Sequence, residues 1–298
     1  MEVGEKNTKS SLILGKETVF PKKYCPDILF TVERKENRKK CDITGKEFCG
    51  FDSWHVYEST FLKENGIPIT GILKIVYDAS SPRIIESKSL KLYTGSFGME
   101  RLGDSDAEAI SNYKKLVAED ISRRIESEVK IGFFTYPLVR ERKEFSDYIV
   151  METIPEIASA PFTHYKESPF LLEEEMENTA TSRRMKLCTH LLKSNCKITA
   201  QPDYGSVYID FCGFLCPSPL SLLRYIVSLR EENHFHEEIC EMIFKRIYDC
   251  FKPEHLNVSC LYTRRGGIDI CPSRSTAPML LPRFLGNPHC LTPRNFRR

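Results

Sequence analysis

The sequence has no apolar run long enough to cross a bilayer, for which about 20 residues are needed. It has one tryptophan, Trp54, and neither sign of charge dominates, since 43 Lys and Arg residues against 41 Asp and Glu residues give a formal net charge of +2. Nucleic-acid-binding domains usually carry a basic excess or a basic stripe. The composition therefore argues against a membrane protein and against direct binding of nucleic acid.

Common cofactor and metal signatures are also absent. The sequence contains neither the G-x-G-x-x-G of a dinucleotide-binding fold nor the G-x-x-x-x-G-K-[ST] of a phosphate loop. Cys212 and Cys216 are followed by His234 and His236, but seventeen residues separate the two pairs and one separates the histidines, unlike a C2H2 zinc finger. We therefore predict no bound metal and no flavin.

Twelve cysteines in 298 residues are too few for a disulfide scaffold. The first residues, from Met1 to Lys6, lack the apolar core of a secretory signal peptide. We therefore expect a cytoplasmic protein whose thiols are mostly reduced. The remaining question is whether one thiol is reactive.

The first half of the chain alternates between strand-like and helical patterns. Residues 54–62 and 69–77 are rich in β-prone side chains around an Asn65-Gly66 turn, which predicts a hairpin. Apolar residues at three- and four-residue spacing predict a helix over 107–128, with Asp104 or Ser105 as the candidate cap. The charged run 34–40 is expected to be a solvated surface loop.

The second half repeats this order. The patterns predict strands over 206–211 and 256–262, with helices over 218–230 and 235–251 between them. Strands, helices and strands occurring twice predict an α+β protein built from two tandem modules with antiparallel sheet.

The expected domain limits follow from changes in composition. An N-terminal module covers residues 1–155, and a proline- and acid-rich connecting segment covers 156–185. A C-terminal module covers 186–298, with a flexible tail expected after about residue 276.

Three polar clusters lie among these elements. The segment E-S-K-S-L-K-L-Y (86–93) has two lysines, two serine hydroxyls and a carboxylate, which suit a phosphorylated ligand or a solvated strand edge. His236 and Glu237 at the start of a helix suit recognition of a polar heterocycle, with Phe235 as a pocket wall. An early Glu is also favourable at any helix N-terminus.

The third cluster joins Cys196 to Asp203 across a Pro-containing turn. This spacing suits either a nucleophile with a proton donor or a buried structural cysteine followed by a turn residue. Lys197 would favour the reactive thiolate if its charge faced the sulfur.

Taken together, these segments resemble the NADPH-dependent 7-cyano-7-deazaguanine reductases, the nitrile reductases of queuosine biosynthesis, in their longer two-module form. The resemblance spans roughly residues 12–275. The matching motifs are E-S-K-S-L-K-L-Y (86–93), L-K-S-N-C (192–196) running into Q-P-D (201–203), S-L-R (228–230) with F-H-E (235–237), and Y-T-R-R-G-G-I-D-I (262–270), flanked by L-G-K (14–16) and W-H-V-Y-E (54–58).

The resemblance implies the tunnelling fold, with antiparallel sheets, helices packed on one face and active sites at the interfaces between modules. It also implies a homodimer that reduces the nitrile of 7-cyano-7-deazaguanine to a primary aminomethyl group in tRNA queuosine biosynthesis. Nitrile to amine is a four-electron reduction, hence two NADPH as cosubstrates and a small-molecule deazapurine as partner.

The resemblance also assigns roles to individual residues. It implies Cys196 as the nucleophile that forms a covalent thioimide and Asp203 as the proton donor, for which burial would have to raise the pKa of the carboxyl. The implied contacts of the deazapurine are Ile85, Glu86, Ser87, His236 and Glu237. The implied contacts of NADPH are Ser87, Lys88, Arg265 and Gly266, with Lys91 as a weaker candidate.

Two other functions remain open on the sequence. A hydrolase of the same fold acting on pterins or purines would need a zinc ligand set. An RNA-binding module would use R-R-G-G (264–267) and the basic C-terminus, with a steep salt dependence.

Overall fold

The computed structural model describes residues 20–137 and 142–293. The strands in the described ranges are β1 (Thr31–Glu33), β2 (Cys49–Leu62), β3 (Pro68–Asp78), β4 (Arg83–Ile85), β5 (Val129–Phe134), β6 (Ile149–Val150), β7 (Met176–Cys196), β8 (Pro202–Pro217), β9 (Asn233–His234), β10 (His255–Tyr262) and β11 (Ile268–Ser275). The helices there are α1 (Arg34–Lys40), α2 (Ser87–Gly95), α3 (Asp106–Ile125), α4 (Pro155–Ala158), α5 (Pro219–Ser228) and α6 (His236–Phe251). No helix in these two ranges is long and apolar enough to cross a membrane.

One nine-stranded sheet carries the fold. Its strand order is β5-β3-β2-β11-β10-β8-β7-β6, and β9 pairs with β7, while β1 and β4 form a separate ribbon. The pairings are antiparallel except for the two-residue contacts of β6 and β9 with β7. Strand β11 from the second half pairs with β2 from the first, with Ile270 opposite Trp54. The predicted α+β class with antiparallel sheet is confirmed.

The long helices pack on one face of this sheet over two hydrophobic cores. One core surrounds α3 and the other surrounds α5 and α6. The chain crosses between them, because Cys41 and Ile43 lie in the second core while Ile268 and Ile270 lie in the first. This arrangement supports a division into two modules, whose limits stay a prediction. Strand β7 already begins at Met176, inside the segment expected to connect the modules.

The opposite face of the sheet is covered by the segment after β11. Leu285 is fully buried there. The ammonium of the fully buried Lys74 donates to the carbonyl oxygens of Phe284 at 3.1 Å and Cys290 at 2.8 Å. The expectation of a flexible tail after about 276 is wrong for residues up to 293, because this segment supplies both apolar cover and hydrogen-bond acceptors. Residues 294–298 lie outside the described ranges, as do 14–16 of the flanking motif.

Local sequence explains the predicted helix of the first half. Helix α3 begins after Ser105, whose hydroxyl accepts the backbone N–H of Glu108 at 3.2 Å. Its buried face is formed by Ala109, Tyr113, Val117, Ile121 and Ile125, which recur every three or four residues.

The charged run 34–40 is not a surface loop, and that expectation is wrong. It forms α1, from which Arg34 and Arg38 reach inward toward the seam between β2 and β11. Arg38 binds both carboxylate oxygens of Glu241 at 2.8 and 2.7 Å. Arg34 donates to Asp52, and its side chain is 4% exposed. Sequence reasoning failed because the acidic partners lie on distant elements.

A buried charge cluster therefore sits at the seam. Arg274 of β11 is 0% exposed and binds Asp52 at 2.9 Å and Glu241 at 2.8 Å, while Arg34 and Arg38 approach the same carboxylates. Burial acts to raise the pKa of Asp52 and Glu241, but the arginines outweigh burial and lower both pKa values. The cluster is stable only as a set, since each charge compensates the desolvation of another.

We expect Arg274→Met to lower the free energy of unfolding by about 3 kcal/mol or more, because it leaves buried carboxylates undercompensated. Urea denaturation would measure the change. Arg183→Ala, which removes an exposed ion pair with Glu177, serves as the control and should cost about 1 kcal/mol or less. Equal stability of the two variants would contradict the account of the cluster.

Candidate active site

A cavity of about 190 Å³ opens at the junction of the two halves of the chain. Its walls come from α2, the β7–β8 hairpin, the start of α6 and the turn before β11. Every residue for which a site role was predicted lines this cavity: Ile85, Glu86, Ser87, Lys88, Cys196, Asp203, His236, Glu237, Arg265 and Gly266. The fold thus brings together the three polar clusters, while the roles of the residues stay predictions.

Glu86 is fixed as the N-cap of α2. Its two carboxylate oxygens accept the backbone N–H groups of Lys88 at 3.0 Å and Ser89 at 2.7 Å. The segment is therefore a helix start rather than a strand edge. This capping holds Ser87 and Lys88 in the first turn of α2, where both border the cavity.

The β7–β8 hairpin brings Cys196 and Asp203 together. Cys196 ends β7, and its backbone N–H donates to the carbonyl of Gln201 at 2.8 Å, which closes the connecting turn. Asp203 lies opposite Ser194 near the start of β8. Both side chains are mostly buried and line the same cavity.

The surroundings of Cys196 favour the thiolate. Burial acts to raise the pKa of the thiol, but hydrogen-bond donors of the turn at Thr199 and Ile198 and the charge of Lys88 outweigh it and lower the pKa. The adjacent Lys197 does not supply the charge, because its ammonium pairs with Glu238 at 2.7 Å. The effective cation comes from α2 in the other half of the chain.

Asp203 lies in an ion-pair network rather than in apolar surroundings. Its Oδ2 is 3.3 Å from His236 Nε2, its Oδ1 accepts from Arg265, and Arg265 also binds Gln201 Oε1 at 2.5 Å. Burial acts to raise the pKa of Asp203, but His236 and Arg265 outweigh it and lower the pKa. The expected upward shift is therefore wrong for this arrangement, because the Arg265 guanidinium and the His236 imidazole, which the sequence did not connect to Asp203, face the carboxylate.

His236 and Glu237 stand at the first turn of α6. The His236 ring stacks on Tyr262 with centroids 3.7 Å apart and 6° between the planes. Glu237 is 2% exposed, and its Oε1 has no hydrogen-bond partner among the described residues. Burial, reinforced by the charge of Asp52, raises the pKa of Glu237 to about 8. An unpaired, buried carboxyl oxygen suits a ligand that brings its own donors.

The turn before β11 depends on two glycines. Gly266 and Gly267 have φ of +58° and +80°, a region that side-chain-bearing residues avoid. A Cβ at Gly267 would lie 2.6 Å from Cδ of Glu58. This tight turn holds Arg265 against Asp203 at the mouth of the cavity.

Several further residues line the cavity without having been assigned a role. They are Trp54, His234, Phe235, Ile268 and Ile270, together with the weaker candidate Lys91. Phe235 was foreseen as a pocket wall. Trp54 and the two isoleucines stand in motifs that matched the family, but no role was assigned to them, because an apolar strand position does not distinguish a core from a cavity floor.

The zinc alternative finds no support in the geometry of the described ranges. There, one group of His, Cys and acidic side chains has its ligating atoms within 4.8 Å, namely His55, Asp269 and Cys271. These residues alternate with Trp54 and Ile270 along β2 and β11, so they lie on the other face of the sheet from the cavity.

Two family models match the chain. Residues 20–133 match the model described as nitrile reductase, 7-cyano-7-deazaguanine-reductase N-term, and residues 202–278 match the QueF-like protein model. The chain belongs to this nitrile reductase family. The resemblance recognised in the sequence motifs is thereby confirmed.

Curated members of the nitrile reductase family are similar over nearly their whole length. The NADPH-dependent 7-cyano-7-deazaguanine reductase of Coxiella burnetii (strain RSA 493 / Nine Mile phase I) is 37% identical over 268 residues, covering 89% of this chain and 91% of the relative. The enzyme of the same name from Acinetobacter baumannii (strain SDF) is 35% identical over 271 residues, covering 91% and 95%. The crystal structure of the archaeosine synthase QueF-Like in the apo form aligns with a TM-score of 0.29 and 15% identity, covering 33% of this chain and 94% of that one.

We expect Lys88→Ala to raise the pKa of Cys196, because it removes the cation that favours the thiolate. The alkylation rate of the Cys196 peptide by iodoacetamide, followed by mass spectrometry, should move to higher pH. Lys197→Ala is the matched control. It should leave the pH dependence of the alkylation rate unchanged, because the Lys197 ammonium pairs with Glu238. A shift in the Lys197 variant alone would refute the assignment.

Proposed function

We propose that the chain is an NADPH-dependent 7-cyano-7-deazaguanine reductase that converts the nitrile to an aminomethyl group through a covalent thioimide on Cys196. The observation that carries the proposal is the meeting, in one cavity, of a thiol with a lowered pKa, an acid–imidazole pair and a buried unpaired carboxyl. These are the groups needed for covalent activation, proton transfer and recognition of the heterocycle.

The first step is addition of the Cys196 thiolate to the nitrile carbon. A carbon–sulfur bond forms, one π bond of the nitrile breaks, and the nitrogen takes up a proton to give the thioimide. Two hydrides and one further proton then convert the thioimide carbon to the aminomethyl carbon and release the thiolate. Overall, one nitrile consumes two NADPH and two protons.

Proton delivery is assigned to Asp203 together with His236. Their 3.3 Å contact borders the cavity that also contains Cys196. Because Arg265 favours the carboxylate form of Asp203 in this arrangement, Asp203 must first take up a proton before it can donate one, and loosening of the Arg265 contact promotes that uptake.

Recognition of the deazapurine is assigned to both halves of the chain. Glu237 offers a buried acceptor for the ring N–H and amino donors, with His236 beside it. Ile85, Glu86 and Ser87 form the facing wall at the start of α2.

NADPH supplies hydride when bound. Lys88 and Arg265 are each about one-third exposed at the edge of the cavity and suit the cofactor phosphates. Gly266 allows close approach of the backbone and Ser87 adds a hydroxyl. The residues present therefore fit the cofactor.

The proposal extends to location and assembly. All twelve cysteines are free thiols, which suits a reducing compartment such as the cytoplasm. In the described ranges the sheet ends at β5 and at the short β6, and a second copy of the chain could extend one of these edges in a homodimer. We assign no direct nucleic-acid partner.

Mixing the protein with 7-cyano-7-deazaguanine without NADPH should add the full mass of the nitrile and produce a near-ultraviolet band. Adding NADPH should discharge the adduct, with two NADPH oxidised per amine formed. Cys196→Ala should abolish the adduct and turnover. Cys188→Ala is the control, because burial raises the pKa of Cys188 to about 12 and makes this thiol inert. An adduct that persists in the Cys196 variant would exclude the proposed nucleophile.

We expect Asp203→Asn to lower turnover by about 100-fold or more, because it removes the acidic group while keeping the size of the side chain. Steady-state oxidation of NADPH would measure the loss, and circular dichroism would verify the fold. Gln201→Ala removes the other side-chain acceptor of Arg265 and is the control, with turnover expected within a few-fold of the parent chain. Near-normal turnover by the Asn variant would assign proton delivery to His236 or water instead.

A further inference from the structure

The single tryptophan of the chain lies in the floor of the cavity. Trp54 sits on β2 between Ile75 of β3 and Ile270 of β11, and its side chain is on the helix-covered face of the sheet. It is 1% exposed and lines the cavity together with Ile268 and Ile270. The aromatic ring therefore forms part of the surface that a ligand would contact.

The indole N–H of Trp54 is unpaired. Nε1 is buried and has no hydrogen-bond partner among the described residues. An indole nitrogen is a donor only, and a buried donor without an acceptor is costly and rare in folded proteins. The proposed reaction gives this N–H group no role. An acceptor for it would therefore have to come from a ligand in the cavity.

An unpaired acceptor lies nearby. Oε1 of Glu237 also lacks a partner within the described part of the chain. Asp52, two residues before Trp54 on the same face of β2, is near enough for its charge to act on Glu237. Glu237 thus lies close to this part of β2, and the lining of one cavity contains both an unpaired donor and an unpaired acceptor.

We propose that the Trp54 indole N–H donates a hydrogen bond to the ring carbonyl oxygen of the deazapurine while Glu237 accepts from the neighbouring ring N–H. This inference rests on the proposed function. A lactam ring presents N–H and C=O on adjacent atoms, which suits the unpaired acceptor and the unpaired donor that line the cavity. In a ligand with an amino group in place of the ring carbonyl, two hydrogen-bond donors would face each other. Trp54 is therefore a specificity-determining residue that favours the ligand with the carbonyl.

The first test uses the fluorescence of Trp54. Because Trp54 is the single tryptophan of the chain, it is the source of all the tryptophan emission. In the Cys196→Ala variant, which binds the nitrile without reacting, addition of 7-cyano-7-deazaguanine should shift the tryptophan emission to longer wavelength. The analogue with sulfur in place of the carbonyl oxygen keeps the ring N–H and amino donors but is a weaker acceptor. It should cause a smaller shift at saturation.

The second test compares affinities for the oxo and thio ligands by calorimetry in the same Cys196→Ala background. Trp54→Phe keeps an aromatic ring and removes the donor, so the preference for oxygen over sulfur should fall by about tenfold. Tyr77→Phe is the matched control, because it removes a buried polar group from the neighbouring strand at a residue that does not line the cavity. Its preference should equal that of the parent.

An unchanged preference in Trp54→Phe, or equal emission shifts with the two ligands, would overturn the role of Trp54. If Trp54→Phe fails to fold by circular dichroism, the emission shifts alone decide. The formation of an adduct on Cys196 in the unsubstituted protein separates a failure of the Trp54 proposal from a failure of the proposed function. If it forms and the Trp54 tests fail, only this inference falls, whereas absence of both binding and adduct overturns the proposed function as well.

Discussion

The structure depends on the buried ion cluster at the seam between β2 and β11. Arg274 is fully enclosed and ties Asp52 of β2 to Glu241 of α6, while Arg34 and Arg38 close the set from α1. Desolvated charges tolerate little displacement, because losing one partner leaves another uncompensated. The cluster therefore fixes how the two halves of the sheet meet, and with it the cavity whose walls they share.

The cavity shows how the same physical terms act differently on neighbouring groups. Burial opposes the charged form of Cys196, Asp203 and Glu237 alike. Cys196 and Asp203 have hydrogen-bond donors or cations beside them, so the charged form prevails and both pKa values fall. At Glu237, burial and the charge of Asp52 outweigh the backbone N–H and the more distant arginines, so its pKa rises. The charged forms of Cys196 and Asp203 suit roles in the reaction. Glu237 suits contact with a ligand that brings its own hydrogen-bond donors.

Local patterns were enough to predict much of the fold. The 54–62 and 69–77 strands, the α3 helix with its Ser105 cap and the two helices of the second half occur close to their expected limits. The site residues were found through motifs that resemble those of a known family. The errors share one cause, since the role of α1, the direction of the Lys197 charge and the ion pairs of Asp203 all depend on partners far away in the chain.

The sequence by itself determined the class of the fold and the family, because periodicity and family motifs are local properties of the chain. Through the family resemblance it also singled out Cys196 as the candidate reactive thiol. Only the tertiary structure decided which charges act on that thiol and that Asp203 is held as a carboxylate by Arg265. It alone placed the unpaired Trp54 donor and the unpaired Glu237 oxygen in the lining of one cavity. These outcomes depend on distances across the β2–β11 seam, and electrostatic and hydrogen-bond energies are set by such distances and by burial rather than by order along the chain.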